Sequence, residues 1–269
     1  MDGHHRSQRR GAVQRFPRER AAGERTDRSA ARGLVGRARV SIISISHKSH
    51  PDVAGALREI YRRLASAYGP QHWWPADTPT EVVIGAILTQ NTAWTNVERA
   101  IANLKAAGRL TWPRLHELPE SELAQLIRPA GTYRVKARRL KAFVGVLFDE
   151  FDGSLDAMLS GPLEPVRQRL LAIHGIGPET ADAILLYAGG RASFVVDAYT
   201  KRILRRHHLL DGGDGYETVR RLFQESLEAD RRVYNEYHAL LVQLGKQHCR
   251  AKADCEGCPL ADMPHDAVR

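Results

Sequence analysis

The sequence predicts an all-α protein, and three observations carry that prediction. From Pro51 onward apolar residues recur at three- and four-residue steps, the punctuation is glycine and proline, and strand-like alternation is nearly absent. Val53, Leu57, Ile60 and Leu64 line one face of a helix that Asp52 can cap and Gly69 ends. Thr78-Pro79-Thr80-Glu81 is a capping box with proline at the first helical position, opening the apolar helix EVVIGAIL. Val97, Ile101 and Leu104 mark a helix stopped at Gly108; Leu123, Leu126 and Ile127 mark a short one before Pro129. Ala137, Leu140, Val144 and Leu147 carry a longer helix toward Gly153, and further helices are expected near 198–208, 216–228 and 231–247. Residues 39–46 (RVSIISIS) alternate weakly like a strand, and one isolated strand does not change the class.

A chain of 269 residues, 43% hydrophobic, can bury a real core. No apolar run is long enough for a membrane span, and the charged N-terminus lacks the apolar core of a secretory signal. The net charge of +9 points to a polyanionic partner, but it is unevenly placed. Residues 1–46 hold eleven arginines, no lysine and four acids, so the rest of the chain is nearly neutral. That segment has little apolar content and no period, and is expected to be a disordered tail. A nonspecific nucleic-acid arm, a leader or an over-extended start of the reading frame would each give the same composition. Beyond it, a binding face must come from clustering. Arg134, Lys136, Arg138, Arg139 and Lys141 form one basic cluster; Lys201, Arg202, Arg205 and Arg206 form another, with Lys201 and Arg205 on one helical face.

The stretch LLAIHGIGPETADAILLYA sets two apolar helical runs around a His-Gly-Ile-Gly turn. Turn amides at the start of a second helix can hold a phosphate without reading any base. Gly175 and Gly177 would permit close backbone approach, and Pro178 suits the first helical position. A plain helix–turn–helix connection would use the same residues. A fixed distance later, Asp197 ends an apolar run just before the basic helix AYTKRILRR, where it can also serve as an N-cap.

Together these two segments resemble the helix-hairpin-helix DNA glycosylases of the endonuclease III superfamily. EVVIGAILTQNTAWTNVERAI is similar to the family helix that bears a DNA-inserting glutamine, IRPAGTYRVKARRLKAF to its Gly-x-Tyr-x-x-Lys-Ala segment, and NEYHALLVQLGKQHCRAKADCEGCPL to its iron–sulfur end. The resemblance runs over roughly 50–265 in the same order. It implies two helical lobes, a barrel of residues 79–191 containing the hairpin and a second lobe of 50–78 plus 192–269, with double-stranded DNA between them. A monomer in a bacterial cytoplasm, at the nucleoid and away from membranes, is the expected setting.

By that resemblance Asp197 is the catalytic carboxylate. Cleaving an N-glycosidic bond builds positive charge on the sugar, and a nearby carboxylate can stabilise it or activate water. Gln90 and Asn91 would fill the gap left by a flipped nucleotide, and Gly175, Gly177, Lys201 and Arg205 would hold the DNA backbone. Members that also cleave the strand carry a Schiff-base lysine before Thr-Ala; here that position is Glu179, which cannot form an imine. Hydrolysis by water is therefore expected. Trp73, Trp74 and Trp94 occupy positions resembling the aromatic base pocket of the branch that removes 3-methyladenine, and Glu179 can point into the same pocket. Electron-poor alkylated purines stack well there and leave easily. A core role would also suit the tryptophans, and a structural role would suit the nearby His72 and His174. The alternatives are an endonuclease III-type glycosylase and lyase for oxidised pyrimidines, and a helix-hairpin-helix DNA-binding protein without catalysis.

Three cysteines, Cys249, Cys255 and Cys258, cluster near the end, which points to a metal site rather than disulfides. The family implies a 4Fe-4S cluster with four cysteines, and the fourth position here is Pro264. His265 is the expected fourth ligand, with Asp262 behind it; a three-cysteine zinc site or a lost cluster is the alternative.

Overall fold

The computed structural model describes residues 52–210 and 213–266, so the arginine-rich tail and the strand expected at 39–46 lie outside the described residues. Twelve α-helices and no strand occur among them: α1 (Val53–Tyr68), α2 (Pro79–Leu88), α3 (Trp94–Ala106), α4 (Trp112–Glu117), α5 (Glu120–Leu126), α6 (Tyr133–Phe151), α7 (Leu155–Met158), α8 (Leu163–Ala172), α9 (Pro178–Ala183), α10 (Ala198–Arg206), α11 (Tyr216–Ser226) and α12 (Arg231–Gln247). The all-α expectation holds. Helices α4 and α7 were not expected; at six and four residues they are too short to display a helical period.

Local chemistry starts the helices where the sequence places the caps. Asp52 accepts the Gly55 N–H, and Thr78 Oγ1 accepts the Glu81 N–H at 3.2 Å. The return arm of the capping box differs from the usual one. Glu81 takes the Asp77 N–H and, buried, pairs with Lys105 Nζ at 3.0 Å. From Glu81 to Leu88 every residue of α2 is buried, which marks it as the central helix; it packs against α3, α6 and α9. On the other side α12 packs against α1 and α10, and α11 against α1. Phe194, Phe223, Tyr234 and Tyr237 stack edge and face in that region.

Much of the expected basic surface turns inward. Lys136 is buried, and its ammonium donates to Leu88 O, Thr92 Oγ1 and Ala130 O at 2.7, 2.5 and 2.7 Å. Burial lowers it to about 8, yet three acceptors suit three N–H donors at neutral pH. Lys141 likewise donates to the carbonyls of Leu115, His116 and Leu118, closing the end of α4. Neither can serve as a backbone contact for nucleic acid as the cluster suggested. Arg202 and Arg206 are also engaged, bonding Cys249 O and Ala251 O. Arg134, Arg138 and Arg205 stay exposed.

Below the hairpin lies a buried ionic network. Asp182, fully buried on α9, accepts from Arg167 Nε at 2.8 Å and Nη2 at 3.0 Å, from Ser193 Oγ at 2.5 Å and from Tyr216 O–H at 2.8 Å. Arg167 also reaches Glu217, and Arg220 reaches Glu164. The network joins α8, α9 and α11, and so fixes the helix that follows the turn.

Candidate active site

The turn between α8 and α9 has two glycines with different reasons to be there. Gly175 has φ +86°, and a Cβ on it would collide with the Arg139 side chain. Around Gly177 a Cβ would meet nothing within 4 Å, and no backbone acceptor among the described residues takes its N–H. Gly175 is thus demanded by the protein's own packing, while Gly177 leaves an open face. Gln90, just past α2, is tied to this turn: its amide donates to Gly175 O at 3.1 Å and Thr180 Oγ1 at 2.8 Å, and its oxygen accepts from Arg139. Asn91 beside it is exposed with φ +53°. His72 and His174 are exposed as well.

Asp197 caps α10. Its Oδ1 accepts both the Thr200 N–H (2.7 Å) and the Thr200 hydroxyl (2.9 Å), which leaves Oδ2 toward His238 Nε2 at 3.7 Å. Cap and candidate catalytic carboxylate are one group, the two roles divided between its oxygens. Lys201 and Arg205 follow on the same helix, and Lys201 Nζ lies 6.0 Å from the Tyr216 ring centre.

Glu179 sits in the first turn of α9, directly after the hairpin. Solvent reaches its side chain, yet surrounding protein raises its carboxyl to about 7, the Asp197 charge adding to the rise and Lys201 opposing it. Its charge is therefore disfavoured in the fold. A carboxyl raised above its unfolded value of 4.5 contributes stability that is fully present below that value and lost as pH rises through about 7. Glu179→Gln is accordingly expected to raise the thermal midpoint above pH 7 and to leave it unchanged below pH 4.5, read by melting curves across that range.

The three tryptophans come together. Trp73 and Trp74 have ring centres 5.5 Å apart, Trp74 and Trp94 5.1 Å, and Trp73 and Trp94 6.5 Å. Trp74 also meets Tyr187 at 5.0 Å. Beside them opens a pocket of about 570 Å³, lined by Trp74, Trp94, Asp77, Glu81, Glu98 and Lys105 among others. Of its three acids, Asp77 and Glu81 pair with Lys105 at 2.8 and 3.0 Å, and Glu98 accepts the Trp94 indole N–H at 2.9 Å. Tyr187 lies in a π-helical turn, Ile184–Ala188, that continues α9 and closes with Gly189 N–H to Ile184 O. That register carries the Tyr187 phenol to His238 Nδ1, 2.5 Å away. Neither Tyr187 nor His238 was singled out from the sequence. Each is one polar residue inside an apolar helical run, which sequence alone reads as core.

Cys249, Cys255, Cys258 and His265 line one small cavity of about 20 Å³. Burial and the two neighbouring thiols push the Cys258 thiol up. Arg206 Nη1 lies 3.1 Å from Cys249 Sγ, and the His265 ring meets Met263 O through Nδ1. Asp262 does not line the cavity; it is exposed and faces Arg63. The donors thus fit iron or zinc in kind, three sulfurs and an imidazole around one space. No group of three or more such side chains among the described residues is arranged as a ready metal cage.

An all-helical fold with this hairpin, and an aspartate capping the helix beyond it, defines a class. Residues 84–229 match the HhH-GPD superfamily base excision DNA repair proteins, and the chain belongs to that family. It is 46% identical over 209 residues, 77% of its length and 94% of the relative's, to a protein of Methanocaldococcus jannaschii named as a DNA repair glycosylase. Endonuclease III of Sulfolobus acidocaldarius is 27% identical over 67% of this chain and 78% of its own. Among solved structures, H. pylori 3-methyladenine DNA glycosylase bound to 1,N6-ethenoadenine aligns with a TM-score of 0.61 and 28% identity, over 73% of this chain and 98% of that one. A non-covalent endonuclease III–DNA complex aligns with a TM-score of 0.69 over 80% and 95%; at 23% identity it speaks for the fold alone. No helix among the described residues is long and apolar enough to cross a membrane.

Proposed function

We propose that this member of the family is a monofunctional DNA glycosylase that hydrolyses the N-glycosidic bond of alkylated purines, such as 3-methyladenine, in duplex DNA. The carrying observation is the contact of the tryptophan cluster with Tyr187, which links it through His238 to Asp197. The pocket beside the indoles and the likeness to a glycosylase named for 3-methyladenine support the same substrate class. The damaged base leaves with the electron pair of its bond to C1′. Asp197 stabilises the sugar cation, takes a proton from water, and the water oxygen bonds C1′. Glu179 faces the base with a carboxyl that can both donate and accept near neutrality, and it offers no amine for an imine.

DNA lies between a lobe of residues 79–191 and one of 50–78 plus 192–269, a division supported by the packing of α2 against α3, α6 and α9, and of α12 against α1 and α10. The protein acts as a monomer in the bacterial cytoplasm, on the nucleoid. Gly175, Gly177, Lys201 and Arg205 hold the backbone. Gln90 leaves its bonds to the hairpin and, with Asn91, fills the gap in the duplex. Cys249, Cys255, Cys258 and His265 would hold a 4Fe-4S cluster, which would supply structure and no hydrolytic step. About four irons per chain are expected in anaerobically purified protein, and iron-free protein would reject the cluster.

The test is a panel of duplexes carrying 3-methyladenine, 7-methylguanine, thymine glycol or a mismatch, each assayed with and without alkali. Release of the alkylated bases, with strand breaks only after alkali, is expected. Breaks without alkali, or action on thymine glycol alone, would favour the endonuclease III reading. Release from none would favour a binding protein.

A further inference from the structure

Tyr187 and His238 play no part in the hydrolysis as written, yet both are held at the site. His238 is buried on α12, between the phenol of Tyr187 and the carboxylate of Asp197. Its Nε2 is buried with no hydrogen-bond partner among the described residues, and Asp197 Oδ2 is the acceptor it faces, at 3.7 Å. A buried imidazole has two tautomers, and only one suits this pair of neighbours. If Nδ1 carried the proton, the Nε2 lone pair would oppose the Asp197 carboxylate 3.7 Å away, with no donor from the described residues to either side of it. If Tyr187 donates its O–H to Nδ1, the proton sits on Nε2 and points at Oδ2.

From this juxtaposition we infer that His238 is a positioning residue for Asp197, with its tautomer fixed by Tyr187. It rests on the reading of Asp197 as the catalytic carboxylate and adds what orients that group. Thr200 holds Oδ1 from one side, and His238 steers Oδ2 from the other, so the carboxylate cannot swing about its cap. Burial keeps the His238 imidazole below its ordinary value against the pull of Asp197, so it stands neutral beside the acid. The other groups near Asp197 do not duplicate this. Glu179 on α9 repels it, and Lys201 sits one turn further along α10. Tyr187 also packs tilted against Trp74, ring centres 5.0 Å apart, so the group that sets the tautomer touches the tryptophan cluster. Trp74, which does line the pocket, stands between it and the phenol that orients the acid.

The test pairs a spectroscopic signature with a rescue series. In full-length protein labelled with ¹⁵N at histidine, His238 (assigned by the signal lost in His238→Gln) should show the neutral Nε2–H pattern near neutral pH. An Nδ1–H or imidazolium pattern overturns the inference. In single-turnover base release, His238→Leu should be slower by about tenfold or more while duplex affinity stays within about twofold. His238→Gln, which keeps an N–H near the Nε2 position, should recover part of that loss, and Tyr187→Phe should fall between. Equal rates for His238→Leu, His238→Gln and wild type overturn the inference, whereas an inert Asp197→Asn beside them leaves the Asp197 reading intact. A fully active Asp197→Asn overturns both, and if His238→Leu fails to fold, the tautomer and the Gln variant decide.

Discussion

Asp197→Asn is expected to slow base release by about 10²–10⁴-fold while leaving the fold and the affinity for duplex nearly unchanged. Asparagine is the informative replacement because Asp197 has two occupations. Its Oδ1 caps α10 through the Thr200 N–H and hydroxyl, and asparagine caps helices about as well as aspartate. What asparagine lacks is the negative charge on the oxygen left free of the cap and the capacity to take a proton from water. Asp197→Ala would remove the cap as well, at about 1 kcal/mol, and would mix instability with lost chemistry. Single-turnover release from an alkylated duplex, beside a binding isotherm and a melting curve, separates the two. A variant that binds, melts like wild type and still releases base at the wild-type rate would remove Asp197 from the reaction.

The elements that could be read from the sequence are those with a local cause. Thr78 and Pro79 open α2 where they stand, and Asp52 and Gly69 bound α1, because caps act within one helical turn. Gly175 and Gly177 could both be picked out, but not told apart. Only the fold shows that one is packed under Arg139 and the other faces open space. The same limit governs the charges. A lysine in a basic segment reads as surface, yet Lys136 finds the carbonyls of Leu88 and Ala130, brought beside it from other elements. The candidate site divides in the same way. Asp197 is found by motif, whereas Tyr187 and His238 are fifty-one residues apart and meet only because a π-helical turn shifts the register of one helix against another.

The second large effect is one of stability. Asp182→Ala is expected to destabilise the protein by about 3–5 kcal/mol, because it strips a buried acid from partners that stay charged. Arg167 donates two bonds to Asp182 and is itself buried; Arg220 approaches the same carboxylate at 3.5 Å. Without the acid, the Ser193 and Tyr216 hydroxyls also lose their acceptor. Glu217 and Glu164 remain as partners, but they lie at the solvent edge and cannot follow the guanidinium groups inward. For a chain of this size the loss lowers the melting midpoint by about 6–20 °C, which urea unfolding can convert to a free energy. The double variant Asp182→Leu with Arg167→Met should be less damaged than the single one, since an uncharged pair leaves less buried charge behind. The network serves more than stability, because Asp182 and Glu179 share α9 and Tyr216 lies near Lys201. Weakening it loosens the helix that begins at the hairpin turn. Base release by Asp182→Ala should therefore fall at temperatures where its helical signal is still intact, and a rate that tracks the folded fraction alone would confine Asp182 to the core.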